Sequence, residues 1–236
     1  MRSEGYSTSQ WIASVPPSKV WQVTSKGAAE LNLSVELLAP LAAQKLASKG
    51  ASFADEATIA TEGLAGLERA LSLLQQVLSL QATVGALAKS VHILEVSEPG
   101  YDVSYSDPLI PFSVFLNVSK GRFADLRTTE ALVHEAMHLQ LSLIERFVPI
   151  AKVDQGLHYS PWKDSQRPVS GLMHALYVFR VIDQWLALLP KTSQEAADYA
   201  EKRHKEIGEE VGQLDPASLV DHLTAEGQQF LSRLLA

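Results

Sequence analysis

Apolar and polar positions along this 236-residue chain fall mostly into helical spacing. From Ala28 to Lys49 the apolar residues cluster three and four apart, interrupted by Pro40, which predicts a helical N-terminal part. A longer pattern runs from Asp55 to about Val91, with Leu64, Leu67, Leu71, Leu74, Leu78 and Leu80 on the repeat, weakened at Gly63, Gly66 and Gly85. Gly100, Pro108 and Pro111 punctuate the middle of the chain. Around them His92-Ile93-Leu94-Glu95-Val96 and Phe112-Ser113-Val114-Phe115-Leu116-Asn117-Val118 read as short strands, rich in β-branched and aromatic residues. Thr128 or Thr129 can cap a helix reaching about Phe147, and 148–168, with Pro149, Gly156, Pro161 and Pro168, reads as a loop. From Val169 to Leu189 apolar residues occupy most sides of a helix, which predicts burial on most faces. Thr192 with Glu195 forms a capping box for a charge-rich helix, and Asp215-Pro216 supplies an N-cap and first-turn proline for the last one. The expected fold class is mostly α, a single domain with a small β-sheet inserted before the His134 helix. Its parts are a helical N-terminal portion (1–92), a core (93–190) and C-terminal helices (191–236).

Composition narrows the function classes. Hydrophobic residues at 46% and charged residues at 20% are ordinary globular usage. A net charge of −7 argues against a nucleic-acid binder, which needs a basic face. Cysteine is absent, so disulfides, thiol nucleophiles and thiolate metal sites are excluded. No apolar segment follows the first five residues as in a secretory signal, and the uncharged stretch Ala70–Ala88 carries Ser72, Gln75, Gln76, Ser79, Gln81 and Thr83, unwelcome in lipid. No membrane association and a cytoplasmic location are the expectation.

The sharpest chemical feature is His134-Glu135-Ala136-Met137-His138 within a helix that is otherwise apolar. Residues four apart share a helix face, so both imidazoles can reach one cation, and a shared metal satisfies two polar rings inside an apolar helix. The bland alternative is a pair of core histidines bonded to backbone. A zinc peptidase or amidase would use Glu135 as general base and add a His or Glu from a later element. The metzincin extension is missing, since Leu141 and Ile144 stand where glycine and histidine are needed, and Glu145 is two turns beyond His138. His158, in the loop, and His174, on the buried helix, remain as third ligands. His92 precedes a strand, and His204 and His222 fall on polar helices where solvent satisfies them.

Three stretches together resemble a known family: Tyr101-Asp102-Val103-Ser104-Tyr105-Ser106-Asp107-Pro108 through Phe115; Val133–His138; and Tyr159-Ser160-Pro161-Trp162-Lys163-Asp164 through Arg167-Pro168 to Gly171-Leu172-Met173-His174-Ala175-Leu176-Tyr177. They are similar to the HExxH-motif α-ketoglutarate-dependent peptide β-hydroxylases that modify ribosomally made peptides. The resemblance spans roughly Tyr101–Trp185, and its third stretch is not shared with zinc peptidases. It implies a non-haem Fe(II) dioxygenase with His134, His138 and His174 as metal ligands. It further implies α-ketoglutarate and O₂ as co-substrates, and hydroxylation of a side-chain β-carbon of a precursor peptide. Arg167, with Lys163 second, is the implied anchor for the ketoacid carboxylate. Tyr159, Trp162 and Tyr177 are candidate substrate contacts, and the implied role of Glu135 is to orient ligands or carry a proton. The chain departs from the family pattern at Lys163, where an arginine follows Pro-Trp, and in Asp164-Ser165-Gln166-Arg167-Pro168. Lysine offers no bidentate fork. The runner-up is the zinc peptidase or amidase, and a third reading is a non-catalytic, metal-stabilised scaffold that binds a peptide.

Overall fold

The computed structural model describes residues 14–25, 31–47, 50–96, 101–154, 156–190 and 193–236. The chain divides into two compact units, 1–139 and 140–236.

The first unit is built on a five-stranded sheet ordered β1-β2-β3-β5-β4, from β1 (Lys19–Ser25), β2 (Leu31–Leu37), β3 (Ser90–Ile93), β4 (Ser104–Ser106) and β5 (Ser113–Leu116). β1 and β2 are antiparallel from Lys19↔Leu37 to Ser25↔Leu31, β2–β3 and β3–β5 are parallel, and β4 runs antiparallel to β5 on the edge. Two of these strands overturn the helical reading of the N-terminal part. In Leu31-Asn32-Leu33-Ser34-Val35 apolar and polar residues alternate strictly, and Leu31, Leu33 and Val35 are all buried on one face. That two-residue period outweighs the looser helical spacing around it. The helical pattern survives only in α1 (Pro40–Ala47), with the proline in its first turn. Residues 28–30 and 48–49 of that stretch, and Gly100, lie outside the described residues.

The second helical pattern is observed, in pieces. Asp55 accepts from the Thr58 amide at 2.7 Å, a helical turn and a π-helical turn (Ile59–Gly63) follow, then α2 (Leu64–Leu74) and α3 (Leu78–Leu87), separated by a break at 75–77. Leu67, Ala70, Leu71 and Leu74 are fully buried. Strands form near both places expected in the middle: β3 begins two residues earlier and ends at Ile93, and β5 lies within Phe112–Val118; both are buried almost throughout, as interior strands of a covered sheet are.

The long helix α4 (Ala124–Glu145) starts four residues before the expected cap. Thr128 and Thr129 lie inside it, their hydroxyls donating back to the carbonyls of Ala124 (2.9 Å) and Asp125 (2.7 Å).

The second unit contains a hairpin where a plain loop was expected: β6 (His158–Ser160) pairs with β7 (Ser165–Arg167), turned at Asp164, whose φ is +44°. It leads into α5 (Val169–Leu188), which is buried on several faces as its composition demands. Leu172, Met173 and Leu176 pack with Leu141, Ile150, Leu219, Leu223 and Leu231. α6 (Gln194–Gly212) is capped by Ser193, whose hydroxyl accepts from the Ala196 amide at 3.1 Å; Thr192 lies outside the described residues. Pro216 opens only the short α7 (Pro216–Val220), and the final helix, α8 (Ala225–Leu235), is capped by Thr224 instead. None of the described helices is long and apolar enough to cross a membrane.

Candidate metal centre and its surroundings

α4 projects His134 and His138 from one face, one turn apart. Their Nε2 atoms are 3.1 Å apart, the ring planes inclined at 65°. Both residues are half-buried, while Leu132, Val133, Ala136, Met137 and Leu139 around them are shut off from solvent. The apolar faces anchor the helix, and the face bearing the imidazoles is the one left partly open. With metal–nitrogen bonds of about 2.1 Å, cis ligands stand about 3.0 Å apart in an octahedral shell and about 3.4 Å in a tetrahedral one. The observed separation suits one cation between the two rings, closer to the octahedral value.

Glu135 points to a different set of partners. Its side chain is 4% exposed. Ser104 Oγ donates to Oε1 at 2.6 Å, and Ser106 Oγ to Oε2 at 2.8 Å. Oε1 is also 4.0 Å from His134 Nε2. Alternate residues of a strand face the same side, so Ser104 and Ser106 reach α4 together while Tyr105 turns to the opposite face and stacks on Phe115 at 4.5 Å. β4 is therefore a rail that holds the one buried carboxylate of the motif. Its own position is set by Asp102, which accepts from Asn117 (3.1 Å), Ser119 (2.8 Å) and Arg127 Nε (2.6 Å). The Tyr101–Pro108 stretch thus has a physical role in the motif's surroundings. On the Tyr105 side of the sheet lies a cavity of about 470 Å³, lined by Leu46, Leu94, Val103, Tyr105 and Ile110 among others. Burial, and the Asp107 carboxylate beside it, push the Tyr105 hydroxyl well above its ordinary value, so it stays protonated.

In the second unit His174 Nε2 is 2.8 Å from Glu145 Oε2, both side chains mostly buried at 16% and 23% exposure. The carboxylate accepts, so Nε2 carries the proton. Arg167 and Lys163 are exposed on the hairpin; Arg167 stands opposite His158 in the β6–β7 register. Tyr159 donates to Asp164 at 3.0 Å across the hairpin. Trp162 stacks on Phe179 with ring centroids 5.6 Å apart and packs against the apolar cluster of this unit. Tyr177 donates to Gln140 and leans on Phe230. Trp162 and Tyr177 thus belong in good part to the core, whereas Tyr159, Lys163 and Arg167 remain at the surface.

The other histidines divide differently from expectation. His92 lies within β3 rather than before it, 4% exposed and stacked on Phe115 at 4.6 Å; burial holds its imidazole below the ordinary value despite the nearby Glu36. His204 is exposed on a polar helix, as read, and bonded to Asp183 at 2.6 Å. His222 sits in the turn between α7 and α8, half-buried, with Nδ1 3.0 Å from the Asp154 carbonyl, and is not simply solvated. Sequence reading passed over the Ser104–Ser106–Glu135 clasp and the Glu145–His174 pair. The first had a trace in the Ser-x-Ser spacing on an edge strand; the second had none, because its members are 29 positions apart.

Among the described residues no three His, Cys, Asp or Glu side chains gather into a group able to hold a metal ion. No family model matches the chain. A search of curated proteins likewise returns no match.

Proposed function

We propose that this protein is an Fe(II)- and α-ketoglutarate-dependent oxygenase that hydroxylates a side-chain β-carbon of a ribosomally made peptide. The observation that carries the reading is the 3.1 Å approach of His134 Nε2 to His138 Nε2 on the open face of α4, together with the resemblance of the flanking stretches. Imidazole suits iron as well as zinc, and both rings are placed so that one cation could be held between them. Bound iron would supply the oxidising chemistry and couple decarboxylation of the ketoacid, with release of succinate, to hydroxylation.

The chain's own residues then bind and orient. His134 and His138 hold the metal, with His174 the third ligand by resemblance. Arg167 is the anchor for the distal carboxylate of the ketoacid, and Lys163 the second choice. Glu135 steadies the helix, because both of its oxygens are already engaged by serine hydroxyl donors on the edge strand.

That same clasp counts against the alternative of a zinc peptidase or amidase, in which Glu135 would take a proton from metal-bound water. Its 4.0 Å approach to His134 Nε2 is the observation in that reading's favour. Anaerobic loading with Fe(II) should give an absorption band that appears only with α-ketoglutarate, and exposure to O₂ with candidate peptides should yield succinate. Peptide cleavage with zinc and indifference to α-ketoglutarate would establish the alternative instead.

A further inference from the structure

His158, at the start of β6, and His222, in the turn after α7, are 64 positions apart in sequence. Their rings are 5.1 Å apart and inclined at 67°. The hydrogen bonds on their far sides fix both tautomers. The Ser218 hydroxyl donates to the Asp215 carbonyl at 2.9 Å, so at 3.3 Å it accepts from His158 Nδ1. His222 Nδ1 meets the Asp154 carbonyl, which only accepts, at 3.0 Å. Each ring carries its proton on Nδ1 and presents a bare lone pair at Nε2.

The Nε2 edges of both rings face the same glycine. At Gly156, φ +61°, a Cβ would crowd both rings, 3.1 Å from Cε1 and Nε2 of His222 and 3.2 Å from His158 Nε2. His158 Nε2 is enclosed and has no hydrogen-bond partner among the described residues. A buried acceptor left unmet is costly, and neighbouring lone pairs repel. Imidazoles pinned through Nδ1–H to oxygen acceptors, with neighbouring Nε2 atoms left for a cation, are the arrangement of metal-ligating histidine.

We propose that His158 and His222 form a second transition-metal site, distinct from the His134–His138 pair, for a divalent cation of the zinc, copper or nickel class. Two imidazoles and no thiolate suit these ions. The cation staples two segments that already run together: Lys152 N donates to the His222 carbonyl at 2.8 Å and Thr224 N to the Ile150 carbonyl at 2.9 Å. It extends that pairing to the base of the β6–β7 hairpin, which carries Tyr159, Lys163 and Arg167. Its role is positional.

The test is a zinc titration of the full chain after chelator treatment, read by calorimetry and by metal analysis. His158→Gln and His222→Gln should each lose one zinc equivalent relative to the unsubstituted chain, or weaken it at least tenfold. His204→Gln, altering a histidine bonded on a helix surface, should lose nothing. His134→Ala should remove a separate equivalent, so failure of either site is read independently. Equal stoichiometry and affinity in His222→Gln and the parent overturn the proposal. Should the glutamine variants not fold, nitrogen-15 spectra of the parent decide: zinc must shift the Nε2 resonances of both His158 and His222, and unmoved resonances overturn it.

Discussion

Ser104 Oγ lies 2.6 Å from Glu135 Oε1, tying the sheet's edge strand to the middle residue of the histidine motif. Removing one member of a buried polar pair strands the other, and this costs more than the bond itself is worth. Glu135→Ala leaves two serine hydroxyls without their acceptor and should destabilise the first unit by about 1–3 kcal/mol in urea unfolding. Glu135→Gln keeps an acceptor for one of them. It should retain metal binding and ketoacid-dependent turnover within about tenfold, whereas loss of two or more orders of magnitude would reinstate Glu135 as a general base.

His134→Ala and His138→Ala should each abolish iron loading at the motif, measured by equilibrium dialysis, because one imidazole alone makes a poor site. Full occupancy in either variant would sink the assignment. Arg167→Ala should leave iron loading unchanged and weaken the ketoacid-dependent absorption band, since the loss is of one carboxylate contact worth about 1.5–3 kcal/mol.

Acid should loosen the first unit through His92. Its imidazole is buried in β3 and held below the ordinary value, mainly by desolvation, so the folded state favours the neutral ring. The unfolded chain takes up the proton first as pH falls through about 6.5. Stability from this residue is complete above that pH and declines below it. Melting temperatures at pH 7.5 and 5.5 should therefore differ less in His92→Gln than in the parent; an unchanged difference would assign the acid sensitivity to other groups.

Two helical glycines should respond oppositely to alanine. At Gly227, in the first turn of α8, a Cβ would stand 2.1 Å from the Ile150 carbonyl oxygen, which is backbone already engaged with Thr224. Gly227→Ala should cost about 3 kcal/mol by chemical unfolding. At Gly208, within α6, nothing lies within 4 Å of the added carbon, and alanine should stabilise by about 0.5–1 kcal/mol. Similar effects at the two positions would show that the close approach at Gly227 is relieved at little cost.

Local pattern was legible where one periodicity stood alone. Leu64, Leu67, Leu71 and Leu74 repeat at helical spacing and form α2, and the β-branched and aromatic run at Phe112–Val118 forms β5. Where two periodicities overlap, as in Leu31–Leu37, local spacing does not decide between them: Leu31, Leu33 and Val35 fit a strand's alternation, and only pairing with β1 and β3 gives that alternation a partner. The hairpin from His158 to Arg167 was hidden for a related reason, since three-residue strands carry too little pattern to announce themselves.

The same division runs through the chemistry. Four-residue spacing on one helix is enough to bring His134 and His138 together, because helix geometry is local and repeats every 3.6 residues. Which hydroxyls clasp Glu135, that Glu145 meets His174, and that His158 and His222 meet beside Gly156 all depend on segments 29 to 64 positions apart. No local rule relates such positions. Chain packing decides them, by burying apolar faces first and leaving polar groups to find whatever partners the closed core brings within reach.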